Sequence, residues 1–140
     1  MKMNVMISAE DIQHKVKQLG EQINAHYAKS DNELVLIGLL RGSVIFMADL
    51  CRAIEKPHEL DFMTVSSYGS GTVSSRDVKI LKDLDGEIFG KDVVVVEDII
   101  DSGNTLSKVM EMLQTRNPNS IELCTLVSKP SRREIDLEVR

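Results

Sequence analysis

Val93-Val94-Val95-Val96-Glu97-Asp98-Ile99-Ile100-Asp101-Ser102-Gly103-Asn104-Thr105 holds a strand, a turn and the start of a helix in one run. The four valines are β-branched and apolar on both parities, so Val93 to Val96 reads as a strand buried on both faces. Two adjacent carboxylates close it. A third carboxylate, small residues and one glycine then feed a helix from Thr105 to Thr115, marked by Leu106, Val109, Met110 and Leu113. Ionised Glu97 and Asp98 are acceptors suited to a sugar cis diol, or to magnesium held through water. Asp101 to Thr105 place backbone N–H groups at a helix N-terminus, where the dipole and the amides hold a phosphate without a lysine. Gly103 lets the backbone approach closely or take positive φ, and Ser102 and Thr105 add hydroxyl donors. Singly, each residue has a plainer use: Ser102 or Asn104 caps a helix, and acids favour its first turn. Together, after a fully buried strand, they point to a phosphorylated ligand.

The flanking sequence gives this run a context. Leu34 to Leu40, broken by Gly38, is a second strand apolar on both parities. Arg41-Gly42-Ser43 follows it, then a helical pattern from Val44 to about Lys56 with Met47, Leu50, Cys51 and Ile54 inward. Leu60, Phe62, Thr64 and Ser66 alternate as a strand. Residues 67 to 77 are rich in Gly and Ser with little to bury, which predicts a mobile loop. Val78 to Leu81 reads as a short strand, Asp85-Gly86 and Pro118-Asn119 as turns, and Ile121 to Val127 as a further strand. At the front, Ser8 with Asp11 caps a helix striped by Ile12, Val16, Leu19 and Ile23, and Ser30-Asp31-Asn32 ends it. Strands alternating with amphipathic helices predict one α/β domain over 1–140, with a parallel sheet flanked by helices. Ligands of such sheets bind at the carboxyl edge, so the informative positions lie just after Leu39 and just after Val96.

Composition narrows the partners. The 140 residues carry 17 Lys+Arg against 22 Asp+Glu, a net charge of −5 that disfavours broad electrostatic binding to nucleic acid. No apolar run is long enough for a membrane span, and polar residues interrupt the first segment before any secretory signal forms, so a cytoplasmic protein is expected. Cys51 and Cys124 lack CxxC spacing and read as buried, reduced thiols. His14, His26 and His58 are scattered, which argues against zinc.

Residues 93 to 105 resemble the phosphoribosyl-pyrophosphate signature of type I phosphoribosyltransferases. Leu39-Leu40-Arg41-Gly42-Ser43, Ser67-Tyr68-Gly69-Ser70-Gly71 and Lys129-Pro130-Ser131-Arg132-Arg133 further resemble the bacterial hypoxanthine phosphoribosyltransferases, and the likeness covers nearly the whole chain. The resemblance implies purine salvage. The 5-phosphoribosyl group would pass from phosphoribosyl pyrophosphate to hypoxanthine, and to guanine, giving the nucleoside monophosphate and pyrophosphate. It also implies residue roles. Glu97 and Asp98 would hold the ribose hydroxyls with Mg2+. Asp101, Ser102, Gly103, Asn104 and Thr105 would bind the 5′-phosphate, and Asp101 would be the acid/base group facing N7 of the purine. Leu40, Arg41 and Gly42 would form the pyrophosphate loop, which in the family often contains a non-proline cis peptide, with Arg133 on the same side. Ser67 and Tyr68 would belong to the lid. Lys129 would contact the purine 6-oxo group and so select a 6-oxopurine over adenine, whose amino group cannot accept from an ammonium. A homodimer or homotetramer is expected from the family.

Chains of this family continue with more strand, a purine-stacking aromatic and another aspartate. The resemblance therefore implies that a C-terminal part is missing after Arg140, with Ile135 to Val139 alternating like a strand begun. Phosphate affinity would persist and base discrimination would weaken. Two readings compete. One is a non-catalytic nucleotide or phosphoribosyl-pyrophosphate sensor on the same fold. The other is a doubly wound phospho-acceptor domain using Asp98 or Asp101. A xanthine- or guanine-using branch of the enzyme family lies closer than either.

Overall fold

The computed structural model describes residues 9–68, 77–100 and 104–128. Of the expected features, Ser8, most of the loop, the Asp101-Ser102-Gly103 turn, Lys129, Arg133 and the alternation at 135–139 lie outside the described residues. The elements are α1 (Ala9–His26), β1 (Leu34–Leu39), α2 (Val44–Ala53), β2 (His58–Tyr68), β3 (Asp77–Lys82), β4 (Asp92–Ile100), α3 (Asn104–Gln114) and β5 (Ser120–Ser128). They form a five-stranded sheet in the order β3-β2-β1-β4-β5. β1 pairs in parallel with β2 and β4, and β4 with β5.

The sheet is not wholly parallel as expected, because β3 returns antiparallel along β2. That ribbon also shortens the expected loop. Ser67 pairs with Val78 and Tyr68 with Asp77, so residues 67, 68 and 77 belong to the ladder. The second helix is shorter than its pattern suggests. Ile54 already takes φ −99° and ψ 118°, and Pro57 disfavours helical backbone at the residue before it. The largest difference is in β4, which runs through Ile100 and not merely to Val96, because β5 stays paired with it as far as Ile100↔Ser128.

Helices cover both faces. Leu34 and Leu36 of β1 and Val94 and Val96 of β4 pack with Val16, Leu19 and Ile23 of α1 and Phe46, Met47 and Leu50 of α2. Val35, Ile37, Val93 and Val95 point the other way, to Leu106, Val109 and Leu113 of α3. Continuous apolar strands are thus buried on both sides, as the parity predicts. Gly20 permits the α1–α2 crossing, since a Cβ there would stand 2.5 Å from the Ala53 Cβ. Cys124 is buried, and burial pushes its thiol up to about 12; Cys51 is only half-buried.

Polar staples fix the amino edge of the sheet. The Asp92 carboxylate, at the start of β4, accepts from Ser30 Oγ, Asn119 Nδ2 and Ser120 Oγ. Asp61 accepts from the backbone N–H groups of Phe62, Asp85 and Gly86 at 2.9–3.1 Å, tying the Asp85-Gly86 turn to β2. Arg116 grips Asp83 with two bonds of 2.8 and 2.9 Å. The opposite edge is left to loops.

Candidate active site

The chain leaves β1 and β4 in opposite directions. After β1 it crosses through α2 on one face to β2; after β4 it crosses through α3 on the other face to β5. Right-handed crossovers running outward from two adjacent central strands require this. The divergence is a topological switch point, and the crevice beyond the carboxyl ends of β1 and β4 is where open α/β sheets hold ligands. The crevice that the topology makes lies just after Leu39 and Val96.

Register sharpens the location. The β1–β4 ladder ends at Gly38↔Val96. One residue further come Leu39, the last of β1, and Glu97. β4 continues beside β5 with Glu97↔Thr125 and Ile99↔Val127, while β1 has already turned into α2. Glu97 is half-buried at this notch, and Thr125, 4% exposed, is its register partner on β5. Asp98 lies next on the same strand. Asn104 opens α3 and Thr105 is half-buried in its first turn.

The other rim is the segment 40–43. Leu40 N–H donates to Met63 O at 3.0 Å, anchoring it to β2. The Leu40–Arg41 peptide is cis, where the resemblance places one. Arg41 and Gly42 are exposed, and Arg41 pairs with no carboxylate among the described residues. Ser43 is fully buried, and its hydroxyl donates to Leu39 O. It occupies the cap position of α2 without making a side-chain cap bond. The site thus juxtaposes an acidic strand end and a basic, exposed loop, an arrangement suited to a ligand bearing both hydroxyls and phosphates.

The expected residues divide accordingly. Glu97, Thr105, Leu40, Arg41 and Gly42 stand around the crevice. The backbones of Asp98 and Asn104 lie on β4 and α3, and those of Ser67 and Tyr68 at the end of β2. Asp101, Ser102, Gly103, Lys129 and Arg133 lie outside the described residues. Ser43 and Thr125 were given no role by the sequence. A serine before a helix ordinarily reads as a cap, and a threonine in an apolar strand as filler.

The sequence model of the phosphoribosyl transferase domain matches residues 8–139. The chain belongs to the phosphoribosyltransferase family. Among members of that family it is 62% identical over 135 residues to the hypoxanthine phosphoribosyltransferase of Salmonella typhimurium, covering 96% of this chain and 76% of the relative. It is 48% identical over 137 residues to the hypoxanthine-guanine phosphoribosyltransferase of Staphylococcus epidermidis, covering 98% and 75%. The crystal structure of a hypoxanthine phosphoribosyltransferase from Staphylococcus aureus superposes with a TM-score of 0.90 at 44% identity, over 97% of this chain and 74% of the other. A mutant hypoxanthine phosphoribosyltransferase from Trypanosoma cruzi, in ternary complex with its substrates, gives 0.89 at 36%, over 96% and 78%. The chain thus has the type I phosphoribosyltransferase fold, an α/β sheet with a topological switch point between β1 and β4.

Proposed function

We propose that this chain transfers the 5-phosphoribosyl group from phosphoribosyl pyrophosphate to hypoxanthine, and to guanine, in purine salvage. What carries the reading is the crevice between β1 and β4, where the carboxylate-bearing strand end faces the exposed Arg41-Gly42 loop. The relatives named hypoxanthine phosphoribosyltransferase, matched over 96% of the chain, support it.

The pyrophosphate of the donor lies against the backbone of Leu40, Arg41 and Gly42, with Arg41 and Arg133 supplying positive charge. Glu97 and Asp98 accept hydrogen bonds from the ribose hydroxyls. The amides and hydroxyls of residues 101 to 105 hold the 5′-phosphate at the start of α3. With the donor fixed at three points, the reacting carbon is oriented and the chemistry becomes nearly unimolecular. The bond from C1′ to the pyrophosphate oxygen breaks, its electron pair leaving with pyrophosphate, and the bond from C1′ to purine N9 forms. Positive charge developing on the ribose is stabilised by the preorganised carboxylates beside it. Asp101 takes the proton from N7. Lys129 donates to the 6-oxo group. Ser67 and Tyr68, at the end of β2, belong to the segment that closes over the centre and keeps water from capturing the cationic ribose.

Magnesium fits the donors at this edge. It binds through one or two carboxylates plus substrate phosphates and keeps waters of its own, and Glu97 is a half-buried carboxylate at the mouth with Asp98 next to it. Glu97 and Asp98 would hold the ion, which when bound supplies charge neutralisation for the departing pyrophosphate. No described helix is long and apolar enough to cross a membrane. We place the protein in the cytoplasm, as a homodimer or homotetramer.

The test is pyrophosphate release from phosphoribosyl pyrophosphate with hypoxanthine, guanine or adenine as acceptor. Release with the first two, and weaker release or none with adenine, is expected. Tight binding of the donor without release would favour a sensor.

A further inference from the structure

We propose that Ser43 is a positioning residue for the pyrophosphate end of the donor: its buried hydroxyl, bonded to Leu39 O, clamps the two ends of the Leu40-Arg41-Gly42 loop together. The proposal rests on the phosphoribosyl-transfer reading of this crevice and adds the residue that presets it.

Ser43 is fully buried although polar, so its hydroxyl needs a partner. It finds one by turning back across the loop to the last carbonyl of β1. The backbone follows the same path, with Ser43 N–H to Leu39 O at 3.4 Å and Val44 N–H to Arg41 O at 3.1 Å. Leu39 O thus receives both the amide and the hydroxyl of one residue, and the exposed loop residues lie between the clamped ends. Neighbours make room for the clamp. A Cβ on Gly38 would stand 3.0 Å from Ser43 Oγ, so only glycine at 38 leaves the hydroxyl its place.

Two consequences follow. The loop is held from within, by a group that touches no ligand, so its backbone is ordered before the donor arrives. The hydroxyl is also withdrawn from capping α2, and the Ser43 side chain makes no bond to that helix. The first amides of α2, beside the loop, stay without a side-chain cap. A capping serine would have served the helix; this one serves the segment before it.

The experiment titrates the full 140-residue chain with inorganic pyrophosphate, phosphoribosyl pyrophosphate and hypoxanthine by calorimetry, and measures KM and kcat alongside. In Ser43→Ala, affinity for pyrophosphate and KM for phosphoribosyl pyrophosphate worsen about tenfold, the size of one hydrogen bond, while KM for hypoxanthine stays within about twofold. Ser43→Thr, which keeps the hydroxyl, recovers most of the loss. Should Ser43→Ala fail to fold, Ser43→Cys fills nearly the same space with a weak donor and is held to the same selective loss. Equal loss for donor and purine, or no loss for pyrophosphate, overturns the positioning role while the wild-type chain still binds and turns over. A wild-type chain that binds neither pyrophosphate nor phosphoribosyl pyrophosphate overturns the functional reading, and this proposal with it.

Discussion

Gly38 of β1 is the register partner of Val96 of β4, and the ladder between the two strands stops at that pair. β1 gives out one residue later and bends into the Leu40-Arg41-Gly42 loop, whereas β4 continues to Ile100 beside β5. The sheet therefore has a notch at its carboxyl edge. Its floor is two buried strands, one wall is acidic and the other carries the exposed Arg41, which pairs with no carboxylate among the described residues. Rigid strands below and loops above suit a site that must hold a charged sugar still and yet admit a base.

Asp101 is the residue on which chemistry and binding should separate. Asp101→Asn preserves shape and hydrogen-bonding capacity but cannot take the N7 proton. Affinity for phosphoribosyl pyrophosphate should stay nearly intact while turnover falls by at least about 10²-fold, the usual contribution of a general base. Steady-state kinetics beside donor titration checks this, and unchanged turnover would remove Asp101 from the role.

Arg41 should matter for the ligand and not for the fold. It is exposed and holds no carboxylate among the described residues, so Arg41→Ala should leave the melting temperature within about 2 °C, as surface substitutions do. Losing a charged hydrogen bond to phosphate should weaken pyrophosphate binding about 10- to 100-fold. A large drop in melting temperature would mean that Arg41 supports the loop itself.

Two glycines should respond to the same substitution to different degrees. A Cβ at Gly20 would meet the Ala53 Cβ at 2.5 Å and its carbonyl oxygen at 2.7 Å, on the backbone of a packed helix that cannot yield. A Cβ at Gly38 would meet the Met47 Cε at 2.9 Å, a flexible end, with the Phe62 ring and Ser43 Oγ at 3.0 Å. Gly20→Ala should destabilise by roughly 1–3 kcal/mol despite the ~1 kcal/mol that alanine gains in a helix. Gly38→Ala should destabilise less, yet displace the Ser43 hydroxyl and weaken pyrophosphate binding. Denaturant melts with donor titrations separate the two effects.

The fold was legible where apolar periodicity was strong. Val93 to Val96 announced a strand buried on both faces, and Leu106, Val109 and Leu113 the helix that covers one of them. Periodicity says nothing about where pairing stops. The extension of β4 to Ile100 depends on β5, and the β2–β3 ribbon that claims Ser67, Tyr68 and Asp77 depends on pairing with the next strand, which the pattern within either strand does not record. The site was legible as a motif, since carboxylates after a buried strand are local. Ser43 was not, because its bond to Leu39 O replaces the capping use that its position advertises. The amino-edge staples were hidden for a related reason: Asp61 and Asp92 look like surface acids until distant donors close around them.

Asp92 should govern part of the acid limb of stability. Burial pushes its carboxyl up, but the hydroxyl of Ser30, the amide of Asn119 and the hydroxyl of Ser120 pull it down, and the net pKa lies below the ordinary 3.8. A carboxyl lowered on folding stabilises the protein above its unfolded value, and that contribution disappears as pH falls through the folded one. Asp92→Asn should therefore be less stable than wild type at pH 7, by about 1–3 kcal/mol for donors left poorly matched in a buried site. The gap should hold down to about pH 4 and narrow below pH 3.8, where the unfolded chain's carboxyl takes up its proton before the folded one does. Melting temperatures of both proteins from pH 7 to about pH 3 give the comparison. A gap that stays constant across that range would place the effect in packing and not in the charge. Because Asp92 lies at the amino edge, away from the notch, Asp92→Asn should leave KM for phosphoribosyl pyrophosphate unchanged at temperatures where the fold is intact.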